Sequence, residues 1–235
     1  IISQKVKSQY EDNPYPRWRS ESIYKTSKVS PTLAINSDIR PNSIKATLLP
    51  NRTKVLIAGC GTGMQIMLAQ RYKNAQITAI DLSLSSLSFA ERKINELGIK
   101  NVNLIQMDIL NVALLKEKFD IIECCGVLHH MANPVQGLDL LLDIFNPNGF
   151  MRLSFYSELS RQLVVKARKY IQDKNLSPTI DNIRNLRQDI FAGNLPELNS
   201  LTNSDSDFYQ TSNFRDLCFH YKEHRLKIDK LDEIL

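Results

Sequence analysis

Gly59, Gly61 and Gly63 stand at alternate positions directly after an apolar run, with Cys60 and Thr62 between them. Glycine at this spacing lets the backbone take dihedrals closed to other residues and lets a ligand approach without meeting a Cβ. A helical pattern begins at Met64, so the free N–H groups of its first turn face the same ligand. That is the chemistry of a nucleotide cradle. The pattern G-x-G-x-G fits, whereas the dinucleotide fingerprint would need Gly or Ala where Met64 stands. Two carboxylates follow. Asp81 closes the next apolar run, where an acceptor-only group can take hydrogen bonds from both ribose hydroxyls. Asp108 closes the run after that and suits an adenine amino group. Each also has a plainer reading, Asp81 as a helix cap and Asp108 as a turn residue.

The elements that must position these groups can be read around them. With 235 residues, 43% apolar and 23% charged, the chain has enough length for one large globular domain or one and a half. From 53 to 156 short apolar runs alternate with helical patterns, the mark of a parallel sheet covered by helices. Strands are expected at 54–58, 76–80, 102–106, 121–125 and 150–155, and helices at 64–72, 84–97 and 134–145. Gly98 closes the second helix, Asn133 and Pro134 open the third, and Asn146-Pro147-Asn148-Gly149 turns the chain into the fifth strand. The fold class is a three-layer, doubly wound α/β sheet, with ligands at the carboxyl ends of its strands. Residues 1–52 form an arm, 53–156 the nucleotide-binding core and 157–235 a helical elaboration. In the elaboration helices are expected at 158–172, 178–192 and 214–221, and a strand at 224–228. Pro14 and Pro16 argue against a helix over 10–18.

Other features exclude function classes. No run approaches the roughly 18 apolar residues of a membrane span, and the first residues lack a signal-peptide plan, so the expected setting is the cytoplasm. The first residue is Ile1, which suggests a piece of a longer protein. Cys60, Cys124, Cys125 and Cys218 show no zinc spacing and read as reduced thiols. The net charge of +5 is scattered over the chain with no basic block, so nucleic acid is not an expected partner.

These residues resemble the class I S-adenosylmethionine-dependent methyltransferases, whose pattern is a V-L-x-x-G-C-G-T-G loop followed by acidic residues ending strands two and three. The match runs from about 53 to 156. It takes in Phe119-Asp120-Ile121-Ile122, Val127-Leu128-His129-His130-Met131 and the Asn146 to Phe150 segment. The flanks, from Gln9 to Trp18, Tyr156-Ser157-Glu158 with Arg161, Asp207-Phe208-Tyr209, Arg215-Asp216-Leu217 and Glu223-His224-Arg225, are similar to a bacterial methyltransferase domain often fused to tetratricopeptide repeats. The resemblance implies S-adenosylmethionine as cofactor, S-adenosylhomocysteine as product, and an acceptor it does not identify. It implies cofactor contacts from Gly59, Cys60, Gly61, Thr62, Gly63, Asp81, Leu82, Asp108, Ile109 and Cys124. One departure is Ile57, where many members carry an acid. The family's sheet closes with an antiparallel pair after strand five, and only the run at 224–228 remains to supply it, so the last strand is expected to be missing.

A methyl sulfonium is already activated, so positioning supplies most of the catalysis and no metal is called for. A base is needed only where the acceptor must lose a proton. His129, just past strand four, is the candidate by its near-neutral pKa, against a loop pair that merely bonds the backbone. No third ligand accompanies His129 and His130 at metal spacing. Tyr10, Tyr15 and Trp18 form a candidate lid, or else an arm packed on the core, with Arg17 or Arg19 available to a carboxylate; Tyr156 and Arg161 are acceptor-side candidates. The expected function is methyl transfer to a small molecule. A cofactor-binding module without turnover, for which Ile57 speaks, and a protein or RNA methyltransferase are the alternatives.

Overall fold

The computed structural model describes residues 2–18, 27–45, 49–203 and 207–234. Five strands, β1 (Lys54–Ala58), β2 (Gln76–Asp81), β3 (Val102–Gln106), β4 (Phe119–Cys125) and β5 (Phe145–Ser154), form one sheet in the order β3-β2-β1-β4-β5. Every ladder in it is parallel. This is the doubly wound, three-layer Rossmann-like arrangement, with β1 central because its run from Val55 to Ala58 is buried on both faces. The reversal of strand order beside β1 opens a crevice at the carboxyl edge, where Gly59, Asp81 and Asp108 follow their strands.

Helices α3 (Met64–Ala69), α4 (Leu84–Glu96) and α5 (Pro134–Asp143) cross between the strands. Local chemistry sets their starts. The Ser83 hydroxyl accepts from the Ser86 N–H at 3.0 Å to open α4, and Asn133 accepts from Val135 and Gln136 ahead of Pro134. Two apolar cores flank the sheet, one around Ile57, Met67 and Ala90 and the other around Leu56, Ile122 and Leu141. A third core, built on Ala167, Leu186 and Phe214, belongs to the C-terminal helices α6 (Gln162–Asp173), α7 (Ile180–Phe191) and α8 (Thr211–Phe219).

Several expectations need correcting. A helix, α1 (Ile2–Asp12), enters the Tyr10 to Trp18 segment, because Pro14 bars the helix only at its own position and the one before it. Strand β5 begins at Phe145, so the Asn146 to Gly149 turn lies inside it as an irregularity where the register with β4 shifts. The expected strand at 224–228 contracts to β7 (Arg225–Leu226), which pairs in parallel with β6 (Tyr156–Ser157) outside the large sheet. Among the described residues the large sheet therefore has five strands and no antiparallel partner. A short helix, α2 (Pro31–Asp38), packs on the core from the N-terminal side, and α9 (Ile228–Ile234) follows β7. No helix among the described residues is long and apolar enough to cross a membrane.

Candidate functional site

The cradle is held mainly by its own backbone. Gly59, Gly61 and Gly63 have φ of +78°, +51° and +97°, the left-handed region that favours glycine. The N–H groups of Gly59 and Cys60 both donate to the Ile80 carbonyl, at 2.8 and 2.9 Å, and tie the loop to the end of β2. Asp81 completes the tie. Its Oδ2 accepts from the Gly61 N–H at 2.7 Å and its Oδ1 from the Ser83 N–H at 2.9 Å, leaving each oxygen a lone pair for a ligand. Burial raises the Asp81 pKa, against the pull of those two donors. The cap of α4 is Ser83, so Asp81 is free of that duty. Asp108 does act as a cap, its Oδ1 accepting from the Leu110 N–H at 3.0 Å, yet it also lines the cleft together with Ile109.

The arm straps this loop. Tyr15 O accepts from the Thr62 N–H at 3.2 Å, Pro16 O accepts from the Thr62 hydroxyl, and the Trp18 indole donates to Thr62 O at 3.3 Å. A Cβ placed on Gly61 would lie 2.5 Å from Tyr15 O, so only glycine admits the strap. Ile57 is buried in the apolar core, and its register partner Glu123 bonds the Tyr72 hydroxyl at 2.8 Å without lining the cleft. The acid absent at 57 is thus not replaced from the neighbouring strand.

One cavity of about 650 Å³ runs from the cradle to the C-terminal helices. At its cradle end lie Gly59, Cys60, Gly61, Asp81, Leu82, Asp108 and Ile109. Tyr10, Tyr15, Trp18 and Tyr156 also line it. Thr62, Gly63, Cys124, His129 and Arg161 do not. Strand alternation explains Cys124, which is buried in the core while Cys125 and Gly126 face the cavity. The 3-10 turn Leu128–His130 presents His130 instead of His129. His129 sits behind Tyr156, with ring centroids 4.0 Å apart, and neither of its nitrogens makes a hydrogen bond of standard geometry. Burial lowers its pKa to about 4. Arg161 stacks its guanidinium 3.7 Å from the Tyr156 ring centre and pairs with buried Glu223 at 2.6 Å, so it supports Tyr156 from outside the cavity.

Sequence reasoning missed a buried polar cluster at the end of the cavity away from the cradle, formed by His130, Asp216 and His220 with Tyr10. The Tyr10 hydroxyl lies 2.8 Å from Asp216 Oδ1 and 3.1 Å from His220 Nε2. The main chain of one residue, Lys222, assigns the tautomers. Its N–H donates to His220 Nδ1 at 3.1 Å, so the neutral ring carries its proton on Nε2. Its carbonyl lies 2.6 Å from His130 Nδ1, which must be the protonated nitrogen there, leaving Nε2 bare. The chain of donors then runs from His220 Nε2–H to Tyr10 Oη and from Tyr10 Oη–H to Asp216. The ligand atoms of His130, Asp216 and His220 lie within 4.8 Å of one another, a spacing that suits a cation. But a metal at His220 Nε2 would displace the proton that the Lys222 N–H holds there, so the set is wired for protons. Burial lowers His220 to about 3, lowers His130 as well, and pushes Asp216 up to about 7 despite the Tyr10 hydrogen bond. The signal for Asp216 was its place in the Arg215-Asp216-Leu217 segment; nothing local marks it as a site residue.

The glycine-rich loop thus stands at the switch point of a parallel sheet and is continuous with a second, side-chain-lined chamber. The Methyltransferase domain family matches residues 50–209, and the chain belongs to it. It is 32% identical over 173 residues to the "Uncharacterized protein syc1184_c" of Synechococcus sp., covering 72% of this chain and 41% of that one. It is 30% identical over 127 residues to the ubiquinone biosynthesis O-methyltransferase of Histophilus somni, covering 50% and 52%. The chain thus spans about half or less of the length of these two relatives. In fold it is similar to PKMT2 from Rickettsia typhi in complex with AdoHcy, with a TM-score of 0.60 and 22% identity over 79% of this chain and 38% of that one.

Proposed function

We propose that this protein transfers a methyl group from S-adenosylmethionine to a small-molecule acceptor bound in the same cavity. The observation that carries the reading is the alignment of Gly59-Cys60-Gly61, Asp81 and Asp108 along one sheet edge, opening without a wall onto the Tyr10, Tyr15, Tyr156 chamber. Asp81 would hold the ribose through its two remaining lone pairs, and Asp108 with Ile109 would face the adenine. When bound, the cofactor supplies an activated methyl on a sulfonium. The chain's own part is to align that methyl with an acceptor and to keep water out, which the arm over Thr62 and the α1 wall do by covering the cleft. The Histophilus O-methyltransferase relative supports the reading, and the Rickettsia protein, solved with AdoHcy, shares the fold. A repeat region in a longer chain rests on the resemblance alone, and a cytoplasmic setting on the sequence's lack of a membrane-length apolar run and of a signal-peptide plan.

Calorimetry and thermal shift test it directly. S-adenosylmethionine and S-adenosylhomocysteine should each raise the melting temperature, and NAD should not. A well-folded sample that responds to neither nucleoside overturns the assignment.

A further inference from the structure

We infer that Gln65 and Arg17 hold the amino-acid end of the cofactor, the Gln65 amide taking its ammonium and the Arg17 guanidinium its carboxylate. The inference rests on the proposed methyltransferase reading and extends the cofactor site from the cradle to the arm, leaving the acceptor end to the Tyr10, Tyr15 and Tyr156 chamber.

The order of the strands says where the amino-acid end falls. Asp108 follows β3 and is assigned to the adenine, Asp81 ends β2 and is assigned to the ribose, and the glycine loop follows β1. Neighbouring strands lie about 4.8 Å apart, so a ligand that runs in this order reaches β1 roughly 10 Å from its base. Its amino-acid end then lies over the loop and the start of α3. That end carries a donor, the ammonium, beside an acceptor, the carboxylate. Asp120 and Glu123, the acids of the adjoining strand β4, do not line the cavity.

Gln65 does line it, from the first turn of α3, two residues past the loop. Its Oε1 is shut off from solvent and has no hydrogen-bond partner, and no hydrogen bond holds its Nε2 among the described residues. A dry, unpaired amide oxygen lowers stability, and a ligand that brings a donor removes the penalty. The last torsion of a glutamine side chain is broad and roughly two-fold, so the oxygen turns into the cavity at little cost.

Arg17 is brought to the same loop by its neighbours. Pro16 O accepts from the Thr62 hydroxyl and the Trp18 indole donates to Thr62 O, which sets the residue between them beside the loop that Gln65 follows. Arg17 lines the cavity, and its exposed guanidinium makes no ion pair among the described residues. A guanidinium in that position suits a carboxylate, which it can hold through two N–H groups at once. Arg19, the other arginine of the arm considered for a carboxylate, lies outside the described residues.

Two adenosyl thioethers that differ in the amino-acid end test this by calorimetry. S-adenosylhomocysteine should bind the native protein at least about tenfold more tightly than 5′-methylthioadenosine, which lacks that end. Gln65→Met keeps the length of the side chain and removes the amide. It should weaken S-adenosylhomocysteine about tenfold, as loss of a hydrogen bond to a charged group does, and leave 5′-methylthioadenosine within about twofold. Arg17→Met should do the same. The ligand-free melting temperature of Gln65→Met should equal or exceed the native one, because the amide has no partner to lose, whereas a merely structural role would lower it. Gln65→Glu, a stronger acceptor for an ammonium, should keep S-adenosylhomocysteine within about twofold of native, and this variant decides the matter if Gln65→Met does not fold. Loss of binding in Gln65→Glu would turn the amide toward the carboxylate and overturn the assignment. A selective loss in only one of the two methionine variants overturns the assignment of the other residue. Equal losses for both ligands, or no loss for either, overturn the inference, while native binding of S-adenosylhomocysteine upholds the cofactor reading. A well-folded native protein that binds neither ligand overturns both.

Discussion

The two ends of the cavity are built on opposite principles. The cradle end draws on short stretches, 59–63, 81–83 and 107–109, and its loop is shaped by left-handed glycines and tied down through its own N–H groups. Its polar groups are satisfied: Asp81 holds two N–H donors, and the loop N–H groups end on Ile80 O. The far end gathers Tyr10, His130, Tyr156, Asp207, and Asp216 with His220 one helical turn on, from five separate places in the chain, and its cluster is made of side chains. Its titratable groups are shifted by burial in both directions, Asp216 upward and the histidines downward. One end is stable because its polar groups are paired. The other gathers desolvated side chains whose hydrogen bonds join distant segments, and the surrounding packing holds them there.

The largest effect should come from the support of the acceptor end. Glu223 has a fully buried side chain that pairs with Arg161 at 2.6 Å and with Arg225 at 3.4 Å. Glu223→Leu would strand Arg161 as a buried charge, at a cost of about 3–5 kcal/mol. Denaturant unfolding should show that loss, whereas S-adenosylhomocysteine affinity of the folded fraction should stay within about twofold. A parallel fall in affinity would show that the two ends are one unit and break the comparison.

Next is the strap on the cradle. Gly61→Ala adds a Cβ 2.5 Å from Tyr15 O at a φ of +51°, so about 1–3 kcal/mol of strain must be relieved by moving the arm. Trp18 is the sole tryptophan and is buried against Phe89, so its emission should shift to the red as the arm lifts. Affinity for S-adenosylhomocysteine should fall about tenfold or more. Unchanged emission together with unchanged affinity would mean that the loop absorbs the methyl group and the strap is not built on glycine.

The same contrast explains what could be read from the sequence. Strands β1 to β4, the glycine loop, Asp81 and Asp108 follow from local patterns: apolar runs, glycine spacing and a carboxylate at a strand end. The fifth strand was legible only in its second half, since Asn146-Pro147-Asn148-Gly149 reads as a turn while the β4 register absorbs it as an irregularity. At the acceptor end, choosing between His129 and His130 depends on which way one 3-10 turn faces, and Cys124 against Cys125 on strand phase. Asp216 and His220 acquire their surroundings only when α1 docks on the segment after α8, through Lys5 to Tyr221, Gln9 to the Tyr221 N–H and Tyr10 to Asp216. Contacts across more than 200 residues leave no periodicity to detect.

The smallest effect is a difference between two opposed titrations, and it examines the acceptor end most closely. His220 and His129 are lowered by burial to about 3 and about 4 from an ordinary 6.5. Their neutral forms suit the fold, so the stability they contribute is present above pH 6.5 and is lost as pH falls toward 4 and 3. Asp216 is raised by burial to about 7 from an ordinary 3.8. The folded protein holds that proton, so its contribution is present below pH 3.8 and is lost as pH rises toward 7. Between pH 4 and 6.5 the two trends oppose each other and flatten the profile of the native protein. Asp216→Asn keeps an oxygen for the Tyr10 hydroxyl and removes only the carboxylate's trend. Relative to the native protein the variant should gain stability as pH rises from 4 to 7, with a slope approaching one proton, about 1.4 kcal/mol per pH unit at most. Raised carboxylates elsewhere, Asp81 and Glu123, act equally in both proteins and cancel. Melting curves at half-unit steps would show the divergence. Parallel profiles would mean that Asp216 is ionised throughout, that solvent reaches it as it reaches a surface carboxylate, and that the acceptor end is no drier than the cradle.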